Sequence, residues 1–167
     1  MTRARNSTAA ICDAVKRTEQ LFGALRDVVE QLSLEQYQVA QSPLESSIGA
    51  HLRHILEFYQ LFLCQQSGES INYDKRRRCR EVEHCKASAL GLMQLLEDRL
   101  GTIHQERPIS VVNEHGYWLS TSTARELHFL SDHTTHHMAM IAVACRLANV
   151  PISKCFGVST ATLRVGT

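Results

Sequence analysis

Four stretches of this chain repeat their apolar residues at steps of three and four, a spacing that commits most of its length to amphipathic helices. The first runs from Ser7 or Thr8, either usable as an N-cap, to about Leu32, with Ile11, Val15, Phe22, Leu25, Val29 and Leu32 on one face. A connector containing Pro43 leads to the second, "IGAHLRHILEFYQLFLCQQ", capped by Ser46 or Ser47 and ending near Gly68. Its stripe is Ile48, Leu52, Ile55, Tyr59 and Phe62. The third spans Val82 to about Leu100 and turns Ala89, Leu92, Met93, Leu96 and Leu100 inward. The fourth starts at Ser122 or Thr123 and runs to Asn149, just ahead of Val150 and Pro151. Between the last two, "RPISVVNEHGYWLST" has strand character with Gly116 near its turn and predicts a short β-hairpin. The tail "CFGVSTATLRV" predicts extended or irregular chain. With no internal repeat and no low-complexity linker, residues 1–167 form a single all-α domain, and a four-helix bundle is the expected architecture.

The bulk numbers narrow the partners. A chain of 167 residues, 44% hydrophobic and 21% charged, has the composition of a soluble globular protein with a real core. Its net charge of +1 gives no pull toward nucleic acid or a membrane surface. Charged or polar residues break every apolar stretch before it could span a bilayer. "MTRARNSTAA" leads into the polar "CDAVKRTEQ" with no apolar signal core, so a cytoplasmic protein is expected. The six cysteines form no C-x-x-C pair and are read as reduced thiols.

Histidine is the residue that points to chemistry. "LSDHTTHHMAM" places His133, His136 and His137 on the fourth helix. His133 and His137 stand one turn apart, about 6 Å along the axis, on the side of Leu130, and both rings can turn toward one point. Such an H-x-x-x-H pair is a metal-binding spacing. A third ligand must come from elsewhere, and the second helix offers His51 and His54. Burying unpartnered imidazoles costs about 1–3 kcal/mol each, which a shared metal would remove. Periodicity leans weakly to His51, which lies nearer the centre of the Ile48–Leu52–Ile55 stripe. His136 lies to the side. His84, His104, His115 and His128 have no partner at ligand spacing and read as structural or exposed.

"IGAHLRHILEFY", "NYDKRRRCREVE", "LSDHTTHHMAM" and "FGVSTATLR", in that order, resemble the DinB/YfiT-like superfamily over about residues 8 to 165. The resemblance implies an up-down-down-up four-helix bundle, often dimeric, with three histidines holding a divalent metal. Carried onto this chain, the H-x-x-x-H pair falls on His133 and His137, and "RHILEFY" fits the remaining ligand at His54. That leaves His51 and His136 as reserve ligands or as rings that hydrogen-bond a ligand. Where many members follow the last ligand with Arg-Gly-Gln, this chain has Met138, Ala139 and Met140.

Three histidines without a fourth protein ligand leave a coordination position open to water or a thiol, as in catalytic rather than structural zinc sites. Imidazole ligation suits Zn, Ni, Fe or Mn alike. The resemblance implies either a transferase using a low-molecular-weight thiol as cosubstrate or a hydrolase, acting on a small molecule. Glu57 and Asp132 are the acids near the ligands, and Glu57 is the candidate base. Both also suit a solvated helix face, Glu57 lying roughly opposite the stripe. "KRRRCR" suits an anion or a solvated helix start with local ion pairs, and its charge bears on the thiols of Cys79 and Cys85. Tyr117 and Trp118 suit a cover over the bundle mouth, a dimer contact or core packing. The rival reading is a non-catalytic dimeric bundle serving as a stress or interaction protein.

Overall fold

A computed structural model describes residues 2–65 and 70–165. The described chain is mostly helical, with one small sheet. Helix α1 (Thr2–Gln31) begins ahead of Ser7 and Thr8, because nothing in "RARNST" breaks a helix. All six residues of its expected apolar face are buried. The connector after it holds a short helix that periodicity could not reveal, α2 (Leu34–Gln38). Ser33 and Gln36 cap it reciprocally, and its buried Tyr37 donates to the carbonyl of Val82 at 2.6 Å.

Helix α3 (Ile48–Cys64) starts at Ser47, whose hydroxyl accepts the N–H of Ala50 at 3.1 Å. It stops at Cys64, and the expected end near Gly68 lies outside the described residues. The expected third helix is two pieces, α4 (Arg80–His84) and α5 (Lys86–Leu100), parted at the extended Cys85. Different neighbours explain the break. Glu83 of α4 pairs with Arg53, and its carbonyl lies so close to Gly49 that a Cβ there would collide with it. Lys86 at the start of α5 instead reaches the carbonyls of Glu30 and Leu32 at the end of α1.

The hairpin forms as expected. Strands β2 (Pro108–Val112) and β3 (Trp118–Ser122) pair antiparallel, and Gly116 takes φ of 81° in the turn. A two-residue strand, β1 (Ser70–Ile71), adds in parallel to β2, too short to leave a period in the sequence. Helix α6 (Thr123–Leu147) is capped by Ser122. The tail, expected to be extended or irregular, is so over residues 155–159 but then forms the short helix α7 (Thr160–Val165).

Helix α1 packs on α5 and α6, and α3 packs on the same two, so the four long helices enclose one core. That core is not wholly apolar. Thr18, Ser131 and Thr134 are fully buried and each donates its hydroxyl to the carbonyl four residues earlier. Tyr59, also fully buried, lies 3.3 Å from the Thr18 oxygen and 3.2 Å from that of Thr134, so its O–H has acceptors ready. Among the described residues no helix is long and apolar enough to cross a membrane.

Candidate metal centre

The packing of α3 against α6 brings four histidines together. Nε2 of His54 lies 3.1 Å from Nε2 of His133, and Nδ1 of His51 lies 3.1 Å from Nδ1 of His137. Between these two contacts the rings of His54 and His137 close to 4.5 Å and those of His133 and His137 to 4.6 Å. One ligand nitrogen each from His54, His133 and His137 lies within 4.8 Å of the other two. Of the two α3 candidates, His54 enters this group, whereas the stripe had leaned toward His51. The stripe misleads because both α6 rings sit beside the bundle core, not at its centre. The buried centre of α6 is Ser131, Thr134 and Met138, while His133 and His137 are half-buried.

The residues fit a metal. Two imidazole nitrogens on a tetrahedral zinc at ordinary bond lengths stand about 3.3 Å apart, close to the spacing of His54 and His133. The rings are also kept uncharged. Burial, followed by the charges of Arg76, His133 and Arg53, pushes His54 down to about 3. His133 falls to about 4 for burial and the nearby His136, and His137 to about 3 for burial and His133. Burial, then His136, lowers His51 as well. Neutral imidazoles keep the lone pairs that an ion needs.

An aromatic wall fixes one side of the site. Phe58, one turn after His54, stacks on His133 at 4.2 Å, and Tyr73 stacks on Phe58 at 4.7 Å. Phe129 closes on His133 at 5.9 Å. The guanidinium of Arg76 sits over Phe58, 5.5 Å from its centroid. Tyr73 donates to the buried Glu126 at 2.8 Å, and Thr121 of β3 donates to the same carboxylate at 2.9 Å. The hairpin thereby braces the wall. Phe58 falls outside the stripe read from periodicity, and its place four residues after His54 is the only sequence signal of its role.

Glu57 is not on a solvated face. It is 2% exposed and accepts the backbone N–H of Cys79 at 2.7 Å. Arg76 stands 3.5 Å and Arg53 3.7 Å from the carboxylate. Burial raises its pKa, against the Cys79 N–H and the arginines. None of these partners is a histidine. The segment read as "KRRRCR" is thus divided, Arg76 being held inward by Glu57 and Phe58 while Lys75, Arg77 and Arg78 stay exposed.

The remaining candidates lie apart. His136 is exposed, touching His137 ring to ring at 5.1 Å. Asp132 is 72% exposed at its side chain and pairs with Arg17. His84, His104 and His115 are exposed and His128 is half-buried. Tyr117 and Trp118, 67% and 69% exposed, do not pack in the core. All six cysteines are free.

No curated protein matches the chain by sequence. The family model described as the DinB family matches residues 12–159, a span that takes in every histidine of the cluster and all four long helices in whole or large part. The chain belongs to the DinB family.

Proposed function

We propose that this protein is a divalent-metal-dependent enzyme that uses His54, His133 and His137 as ligands and acts on a small electrophilic substrate, as a thiol-dependent transferase or a hydrolase. The observation that carries the reading is the convergence of three uncharged imidazoles from α3 and α6 with no carboxylate or thiolate among them. A divalent ion bound there would supply Lewis acidity and an open position for a thiol or water. The chain's own part is to hold three lone pairs in place, to shield one side of them with Phe58 and Tyr73, and to keep the rings neutral by burial. Six unpaired cysteines suit a reducing, cytoplasmic compartment, which fits a low-molecular-weight thiol as cosubstrate.

The four long helices are read as an up-down-down-up bundle. His51 meets His137 while His54 meets His133, which supports an antiparallel α3 and α6. Thr18 of α1 meets Ser131, and Gln36 of α2, a few residues past the end of α1, meets Ala148, which supports α1 running parallel to α6. Arg53 meets Glu83 of α4 while Leu63 meets Arg99 of α5, which supports α4 and α5 together running along α3.

Metal content by mass spectrometry on untagged protein tests the site. About one equivalent is expected in the wild type and in His136→Ala, and loss in His54→Ala, His133→Ala and His137→Ala. A metal-free wild type after reconstitution would overturn the enzyme reading. Metal-dependent turnover that rises with added thiol selects the transferase, and turnover indifferent to thiol selects the hydrolase. The rival, a non-catalytic dimeric interaction bundle, is favoured by the exposed run Tyr117, Trp118 and Leu119 on the hairpin. It predicts a dimer in sedimentation that Trp118→Ser dissociates and chelation leaves intact.

A further inference from the structure

His137 has two ring nitrogens, and the structure gives them different neighbours. Its Nδ1 faces Nδ1 of His51 at 3.1 Å, while His54 and His133 crowd the same ring at 4.5 and 4.6 Å between centroids. Two neutral imidazoles at that N···N separation require one N–H and one lone pair, since two lone pairs or two N–H groups would repel. Only two arrangements satisfy this. If His51 donates, the lone pair of His137 is spent on Nδ1 and its Nε2 carries the proton, so Nε2 has nothing to offer an ion. If His137 donates, its Nε2 keeps the lone pair.

We propose that His51 is a positioning residue: its Nδ1 lone pair accepts the Nδ1–H of His137 and fixes His137 in the tautomer whose Nε2 is ready to bind metal. The assignment rests on the metal-site reading above. His51 is not a fourth ligand, because the nitrogens that converge are those of His54, His133 and His137, and His51 is outside that group. A ligating histidine commonly gives its second N–H to a carboxylate or carbonyl, which fixes tautomer and ring orientation. Among the described residues no such acceptor is hydrogen-bonded to His137, and a neutral histidine takes that place.

The other contact behaves differently. His54 and His133 face each other Nε2 to Nε2, so without an ion one of these nitrogens must carry a proton. When both become ligands, that ring must exchange tautomers. His137, held by His51, need not. The metal-free site is therefore half prepared, with His137 preset and the His54–His133 pair adjusting as the ion enters.

The test reads tautomers and affinity separately. Long-range ¹H–¹⁵N correlation spectra of the histidines in chelated protein, assigned with His137→Ala, are expected to show His137 protonated at Nδ1 alone. His51→Ala should abolish that preference and weaken zinc binding, in chelator competition, by about 10- to 100-fold. His51→Asn, whose side-chain carbonyl offers an acceptor near the former Nδ1, should restore the tautomer and most of the affinity. A merely structural role for His51 would give no such rescue. His137 found protonated at Nε2, zinc affinity unchanged in His51→Ala, or four imidazoles around zinc by X-ray absorption would each overturn the proposal. Failure of wild type to take up zinc would instead overturn the metal-site reading, and the metal role of His51 with it.

Discussion

Phe58 lies face to face with His133, their ring centroids 4.2 Å apart and their planes 18° from parallel. A histidine on an exposed helix face turns freely about its side-chain bonds, and each free torsion is entropy that ligation must overcome. Stacking removes that freedom for His133 by confining the ring to one plane. Phe58 is itself held by the stacked ring of Tyr73 and by the guanidinium of Arg76. The direction of the His133 lone pair is therefore set by residues that never touch an ion.

Phe58→Ala is expected to cost both stability and metal. Phe58 is buried, and truncating a buried phenylalanine costs about 3–5 kcal/mol. Phe58→Leu keeps most of the volume without the flat surface that His133 rests on. Urea unfolding of chelated protein should rank Phe58→Ala well below Phe58→Leu. Zinc competition on Phe58→Leu should still show weaker binding than wild type, because His133 has lost its stacking partner. Wild-type affinity in Phe58→Leu would show that the wall fills space and does not orient the ligand.

Acid should destabilise the metal-free protein through the same histidines. In the fold His54 and His137 are pushed down to about 3 and His133 to about 4, from an ordinary 6.5. From pH 6.5 downward the unfolded chain takes up protons that the folded chain refuses. The unfolded state then binds more protons, and stability falls with falling pH until the folded pKa values are reached. Above 6.5 both states are neutral at these rings and the effect vanishes. Urea midpoints of chelated protein should drop between about pH 7 and about pH 5, and drop less in a variant with His54, His133 and His137 all replaced by glutamine. An equal drop in that variant would place the acid sensitivity elsewhere.

Much of this arrangement is written in the sequence, and the parts that are not share a cause. Ile11 to Leu32 on α1 and Ile48 to Phe62 on α3 are buried as their spacing requires, since a long amphipathic face has only one way to meet a core. The His133–His137 pair was legible for the same reason. The break at Cys85 was not, because Val82 and Ala89 keep helical register across it and the cause lies on α3, in Gly49 and Arg53. Glu57 read as a candidate base or a solvated acid because its partners, Arg76 and the N–H of Cys79, come from a segment some twenty residues on. Thr18, Ser131 and Thr134 belong to no apolar stripe, yet they form the polar centre of the core around Tyr59. In each case a long-range polar contact decides what periodicity cannot see.

Glu57 should prove structural. Its side chain is buried between Arg53 and Arg76, and removing one partner of a buried ion pair costs about 3–5 kcal/mol. Glu57→Ala is expected to lose about that much, also orphaning the N–H of Cys79. Glu57→Gln keeps an acceptor for that N–H and should lose less. Both variants, supplied with excess zinc, should still bind one equivalent. Loss of zinc in Glu57→Gln while its urea midpoint stays near wild type would place the carboxylate in the metal site after all.

The cysteines should divide by burial when native protein meets an alkylating reagent. Thiolate, not thiol, is the attacking form. Cys145 is fully buried on α6, and burial pushes its thiol up to about 11 from an ordinary 9, so it is both protonated and unreachable at neutral pH. Cys12, Cys64, Cys79 and Cys155 are exposed. Cys85 is half-buried, and its hydrogen bonds with the Ser88 side chain and backbone N–H lower its pKa. A time course with iodoacetamide, read by peptide mass spectrometry, should modify these five first and Cys145 only when urea unfolds the chain. Early labelling of Cys145 in native protein would mean that α6 opens locally, and with it the helix that carries His133 and His137.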